Sequence, residues 1–333
     1  MKKLIALLII VSFLAMPTQI ASHDARWNSK TGTIEADGII VRFFEMRPHY
    51  IVWVPEFNNT TTAYHINFIR IVEFDDKDGD NAVDDSEVLA KAELTAKDLW
   101  SVKAENTTID GVKAIVVSFE ANISVFKTGM KGGIGQAYVA FINKIFLENY
   151  TLENGYEIAG GRELKIDIKI KDWPWVSENS KLALLVLIAV GDKEGHMEKA
   201  PETHMHQIQV RESNVRELRL NSTDTKFQLA FRWEEQVRLQ FEGNETYAKV
   251  NHSILAEECD SIVTFVYPHF NGTLEHDPSI VALETEATEG EATEGGVGEG
   301  LLEQNVGGIP LIYLIALFVV AIVSIVIVIK VKR

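Results

Sequence analysis

Six carboxylates crowd into the twelve residues from Asp76 to Glu87, with Asp76, Asp78 and Asp80 alternating along the chain and Asp84 and Glu87 following. Carboxylates this close repel one another, and the crowding lowers stability unless a cation neutralises it. Calcium suits such a cluster, because it is a hard ion that gathers oxygen ligands, and a bidentate Glu87 would complete its sphere. The plain alternative is a solvated acidic loop without an ion.

The segment from Asp76 to Glu87 resembles the calcium loop of the EF-hand family over all of its positions. The resemblance implies Asp76, Asp78 and Asp80 as the first, third and fifth ligands, the backbone carbonyl of Ala82 as the seventh, Asp84 as the ninth and Glu87 as the twelfth. Val83 stands at the apolar eighth position that pins such a loop to its core. Asn81 replaces the usual sixth-position glycine, and asparagine tolerates a left-handed backbone better than most residues. Tyr64 to Phe74 reads as a strand where the family has a helix, so the likeness covers the loop alone. It implies a structural ion that ties this strand to the next segment of the chain.

A rival reading is enzymatic. Asp76-X-Asp78-Gly79 also resembles the nucleophile motif of haloacid-dehalogenase-like phosphatases, which implies attack by Asp76 and acid-base work by Asp78. Asp80 stands in place of the expected Thr, and no alternation of strands and helices comes after it to build a parallel sheet. No serine-hydrolase elbow, zinc-protease helix motif, phosphate-binding glycine loop or credible Cys and His pair is present, so no catalytic apparatus is visible.

Two further groups carry weaker chemistry. His196, Met197, His204, Met205 and His206 could hold copper or another transition metal, with a polar loop edge as the simpler reading. Trp173-Pro174-Trp175 is expected to pack a corner of the fold, the other possibility being a sugar platform.

These residues sit in an acidic chain of 333 residues with formal net charge −16, which argues against nucleic acid as a partner. A lone cysteine, Cys259, excludes an intramolecular disulfide framework. Residues 1–22, with Lys2 and Lys3 before an apolar run, read as a secretory signal peptide, or as an uncleaved anchor. Residues 309–329 are uncharged and apolar, long enough for one C-terminal transmembrane helix, and the basic tail 330–333 places the C-terminus in the cytoplasm. Residues 283–308, rich in Glu, Gly and Thr, read as a disordered acidic stalk. Nine Asn-X-Ser/Thr triplets begin at Asn58, Asn59, Asn106, Asn122, Asn149, Asn221, Asn244, Asn251 and Asn271, where roughly two would arise by chance.

Residues 24–281 must build the extracellular domain. Alternation at Leu164, Ile166, Ile168 and Ile170, at Ile115 to Val125, and at Phe227 to Trp233 marks strands with one wet face. The continuous run Leu182 to Val190 reads as a fully buried strand. Helical periodicity is confined to residues 87–100 and 137–147. The expected fold is mainly β, an antiparallel β-sandwich, either one domain or two divided near residues 212–225. Sequons, calcium loop, scarce cysteine and membrane tail together resemble archaeal envelope glycoproteins as a class. That resemblance implies a membrane-held surface protein that binds an envelope protein or a carbohydrate and is not an enzyme; a tethered extracellular hydrolase or metal-dependent enzyme is the alternative.

Overall fold

A computed structural model describes residues 24–283 except 56–61, 97, 153–154, 196–206, 213–214, 222–227 and 257–259, together with residues 305–306 and 309–310. The expected signal peptide, the His and Met cluster, most of the stalk and residues 311–333 lie outside the described residues. Among the described residues no helix is long and apolar enough to cross a membrane.

The first strands are β1 Ala25–Asn28, β2 Thr33–Ala36, β3 Ile40–Phe43, β4 His49–Trp53, β5 Thr62–Phe74, β6 Val88–Glu93, β7 Ser101–Ile109 and β8 Val112–Lys127. Next come β9 Gly133–Phe146, β10 Tyr150–Thr151, β11 Glu157–Ile158, β12 Glu163–Lys171, β13 Lys181–Asp192, β14 Gln207–Glu212, β15 Val215–Asn221 and β16 Gln228–Glu234. The last are β17 Gln236–Phe241, β18 Asn244–Lys249, β19 Asn251–Ala256, β20 Asp260–Tyr267, β21 Thr273–His276, β22 Ser279–Leu283, β23 Asn305–Val306 and β24 Ile309–Pro310. The fold is mainly β, with antiparallel pairing throughout these strands.

One ladder runs β1-β2-β3-β4-β5-β13-β20-β19. A second runs β7-β8-β9-β12, and the free edge of β12 is then shared between β22 and β21. β22 continues through β16 to β15 and β14, and β21 continues through β17 to β18. β6 joins the two ladders by pairing with both β5 and β8. Rings from the two ladders meet face to face: Phe43 with Phe119 at 5.1 Å, Phe68 with Phe141 at 4.8 Å and Trp233 with Phe265 at 5.4 Å between centroids. Aromatic pairs at these separations add packing energy beyond area burial. The arrangement is consistent with the expected antiparallel sandwich.

Three expectations need correction. Residues 88–93 and 133–146 are strands, not helices. In β9 both faces are largely covered between Tyr138 and Phe146: Ala140 and Phe146 are buried, and Tyr138, Ile142 and Lys144 half-buried, on the face opposite Val139, Phe141, Asn143 and Ile145, so the period-two signal is smeared. The second face of β12 is not uniformly wet: Lys165 is buried, with Nζ donating to the Asp277 carbonyl at 2.8 Å. Beside it the buried Glu163 carboxylate accepts from Tyr156 Oη at 2.9 Å and Ser279 Oγ at 2.6 Å, and Arg232 donates to Glu217 at 2.6 Å. Burial pushes the Tyr156 hydroxyl up to about 12. Finally, Leu283 still belongs to β22, and Asn305–Val306 pairs with Ile309–Pro310 across two glycines. Asn305–Val306 and Ile309–Pro310, which fall at the end of the expected stalk and the start of the expected membrane span, are short strands.

Residues 1–285 and residues 286–333 form separate compact units. Within the first, the segment around residues 212–225 is crossed by the β15–β16 ladder.

Candidate metal centre

The acidic loop begins where β5 ends, and its base is fixed by one buried carboxylate. Glu73 accepts hydrogen bonds from the Val176 amide at 2.8 Å, the Ser177 amide at 2.9 Å, Ser180 Oγ at 2.7 Å and Trp173 Nε1 at 3.2 Å. A fully buried carboxylate is stable only when its oxygens are satisfied in this way. The bonds hold residues 173–180 against the end of β5, so that Lys181 opens β13 directly opposite Phe74. Trp173 is buried, and Trp175 packs on His269 and Phe270 and donates Nε1 to the Phe270 carbonyl at 2.9 Å. The Trp-Pro-Trp segment is thus a packed corner.

Beyond Phe74 the backbone coils around its own aspartates. Asp76 Oδ1 accepts from the Gly79 amide at 3.1 Å and the Asn81 amide at 3.4 Å, Asp78 Oδ1 from the Asp80 amide at 3.2 Å, and Asp80 Oδ1 from the Ala82 amide at 2.7 Å. Side chains of this length bond their own backbone two or three residues on, which is why aspartate recurs in tight loops. Asn81 takes the left-handed conformation at φ 60°, the role expected of it at the sixth position. Val83 packs on the satellite core formed by Val72, Phe74, Ala183 and Val266. The loop closes where the Asp75 amide donates to the Glu87 carbonyl at 3.0 Å.

Asp76, Asp78 and Asp80 converge, with carboxylate oxygens all within 4.8 Å of one another, and this group could hold a metal ion. Asp84 and Glu87 are not part of that group, and Ala82 is engaged through its amide. Glu87 is nonetheless tied to the loop: it is 6% exposed, its Oε1 accepts from the Lys77 amide at 3.0 Å, and its buried Oε2 has no hydrogen-bond partner. An unsatisfied buried carboxylate oxygen is costly, and a water or an ion would relieve that cost.

Two residues that local spacing does not reveal brace the loop from other strands. Lys181 Nζ lies 2.5 Å from Asp76 Oδ2 and 2.9 Å from Asn81 Oδ1, and Asn251 Nδ2 donates to Asn81 Oδ1 at 3.0 Å. The Lys181 ammonium, through its hydrogen bond, holds the Asp76 carboxyl below the usual carboxylate range, helped by the Asn81 and Gly79 amides. The same contacts favour the ionised form of Asp76, the form a cation requires. The dehalogenase-like alternative finds no parallel sheet, since the ladders among the described residues are antiparallel.

No protein-family model matches the chain, and no curated protein matches it at a significant level.

Proposed function

We propose that the chain is a membrane-anchored, calcium-binding cell-surface glycoprotein whose β-sandwich ectodomain serves in adhesion, envelope organisation or ligand binding. The observation that carries this reading is the convergence of Asp76, Asp78 and Asp80, in a loop whose last residue, Glu87, bonds the Lys77 amide and keeps a buried oxygen without a hydrogen-bond partner. All the donors are hard oxygens, in a loop that resembles the EF-hand calcium loop, and a flexible ring of carboxylates suits calcium better than magnesium, which demands a near-octahedral shell. The acidic group sits at the exit of the long ladder between β5 and β13, where an ion would tie strand to loop. The extracellular setting is supported by the apolar segment 309–329 with its basic tail and by the sequons, of which Asn106, Asn122, Asn149, Asn244 and Asn271 are exposed.

Thermal unfolding of the full chain, followed by tryptophan fluorescence, tests the reading. Calcium at a hundredfold excess over Kd should stabilise the folded state by about 2.7 kcal/mol. Asp78→Asn, at an exposed position, and Glu87→Ala should each abolish most of the response. Identical melting in calcium and in chelator removes the site from the account.

A further inference from the structure

The hairpin joining β8 and β9 differs in character from the rest of the molecule. In a chain of net charge −16, no acidic residue occurs from Ala121 to Leu147, while Lys127 and Lys131 lie at the hairpin end. Neither lysine forms an ion pair among the described residues. Three large apolar side chains surround them in the open: Phe126 is 45%, Met130 59% and Ile134 37% exposed. Gly129 and Gly132 carry left-handed φ of 78° and 118°, which turns the chain sharply, and nothing lies within 4 Å of where a side chain on either would begin. Exposed apolar groups clustered with unpaired cations mark an interaction site more than a solubilising surface.

The tip and the acidic loop stand side by side. The Thr128 amide donates to the Leu89 carbonyl at 2.9 Å, Lys127 pairs with Ala90 and Phe126 with Lys91, and Leu89 comes two residues after Glu87. Both belong to the end of the domain reached by Lys171 on β12. The chain leaves the domain at the other end, where Glu163 pairs with Val281 and β22 finishes at Leu283.

We propose that this tip docks on an anionic lipid bilayer under the control of the acidic loop, an inference that rests on the calcium reading above. Phe126, Met130 and Ile134 enter the headgroup and acyl boundary, and Lys127 and Lys131 meet the phosphates, the combination of apolar burial and basic charge that holds peripheral elements on membranes. A bilayer accepts an open hairpin tip that carries both exposed apolar side chains and lysines without a shaped pocket, whereas a protein partner must supply one. The neighbouring Asp76, Asp78 and Asp80 repel an anionic surface until a divalent cation neutralises them, so docking depends on calcium.

The full chain, held in zwitterionic nanodiscs on a sensor surface, is presented with dye-loaded vesicles of phosphatidylcholine alone or mixed with phosphatidylglycerol, in calcium or in chelator. Capture of the anionic vesicles should rise roughly tenfold with calcium and stay at background for the neutral ones. Phe126→Ser with Met130→Ser, both at exposed positions, should reduce capture at least tenfold without moving the melting temperature. Lys127→Gln with Lys131→Gln should reduce it several-fold. Equal capture of both vesicle types, or capture untouched by the Phe126 and Met130 changes, overturns the inference. Calcium-independent capture beside an intact calcium shift in melting overturns the docking and leaves the loop reading standing; loss of both effects sinks the loop reading and this inference with it.

Discussion

At the scale of single residues, Lys181 decides how the acidic loop behaves. Its ammonium lies against Asp76 and Asn81, so the chain carries a tethered cation at the edge of the group that would receive a free one. The tethered charge offsets the repulsion among the aspartates and also opposes an incoming divalent ion. The Asp76 side chain is 2% exposed and that of Lys181 32%, so solvent screens part of this opposition. Lys181→Met should therefore tighten calcium binding roughly fivefold, measured by isothermal titration calorimetry, and should lower the melting temperature in chelator. Unchanged affinity would mean that the lysine swings clear when the ion arrives. The aspartates are legible from sequence because their backbone partners are two to five residues away. Lys181 and Asn251 arrive from 105 and 170 positions along the chain, and no local pattern announces them.

At the scale of elements, the junction between β5 and the segment before β13 rests on Glu73. Its oxygens face only donors: two backbone amides, an indole N–H and a hydroxyl. Glu73→Gln turns an NH₂ group toward some of them, leaves buried donors unpaired, and should cost about 2–4 kcal/mol in urea-derived stability. The effect should pass on to the acidic loop, because the corner leads directly into Lys181, which stands opposite Phe74 and bonds Asp76. Element type was readable where one face of a strand packs and the other is wetter, as along Ile115, Val117, Phe119, Ile123 and Val125 in β8. It failed in β9, where β8 and β12 hold both edges and both faces are mostly covered, so alternation is lost and small residues such as Ala137 and Ala140 suggest a helix. It failed in part at β12, because the burial of Lys165 depends on Asp277, which is brought there by tertiary structure.

At the scale of the whole molecule, stability should depend on pH through histidines locked in the interior. His276 bonds Tyr267 Oη at 2.8 Å and packs against Phe265, and His49 bonds His65 at 3.0 Å. Burial holds the imidazoles of His49 and His276 down to about 3, with His65 and Arg47 adding to the effect at His49 and Lys165 at His276. The unfolded chain takes up these protons near the ordinary histidine value of 6.5, so between there and about 3 it binds more protons than the folded one. The stabilisation is complete above that window and declines as pH falls through it, by about 1.4 kcal/mol per pH unit for each histidine. Urea unfolding between about pH 6 and 4.5 should show this decline, and His276→Gln should remove one histidine's share of the slope whatever it does to absolute stability. A slope unchanged by that substitution would show that His276 takes up its proton without unfolding.

The path of β22 has a mechanical consequence. It lies between β12 and β16, antiparallel to both, and carries the chain out of the domain at the end away from the β8–β9 hairpin. Tension between a surface gripped at that hairpin and the C-terminal segment would run along the strands, while the backbone bonds of the ladders lie across them. Such a pull shears the rungs on either side of β22 together instead of peeling them off one at a time, the geometry in which a β domain yields last under load.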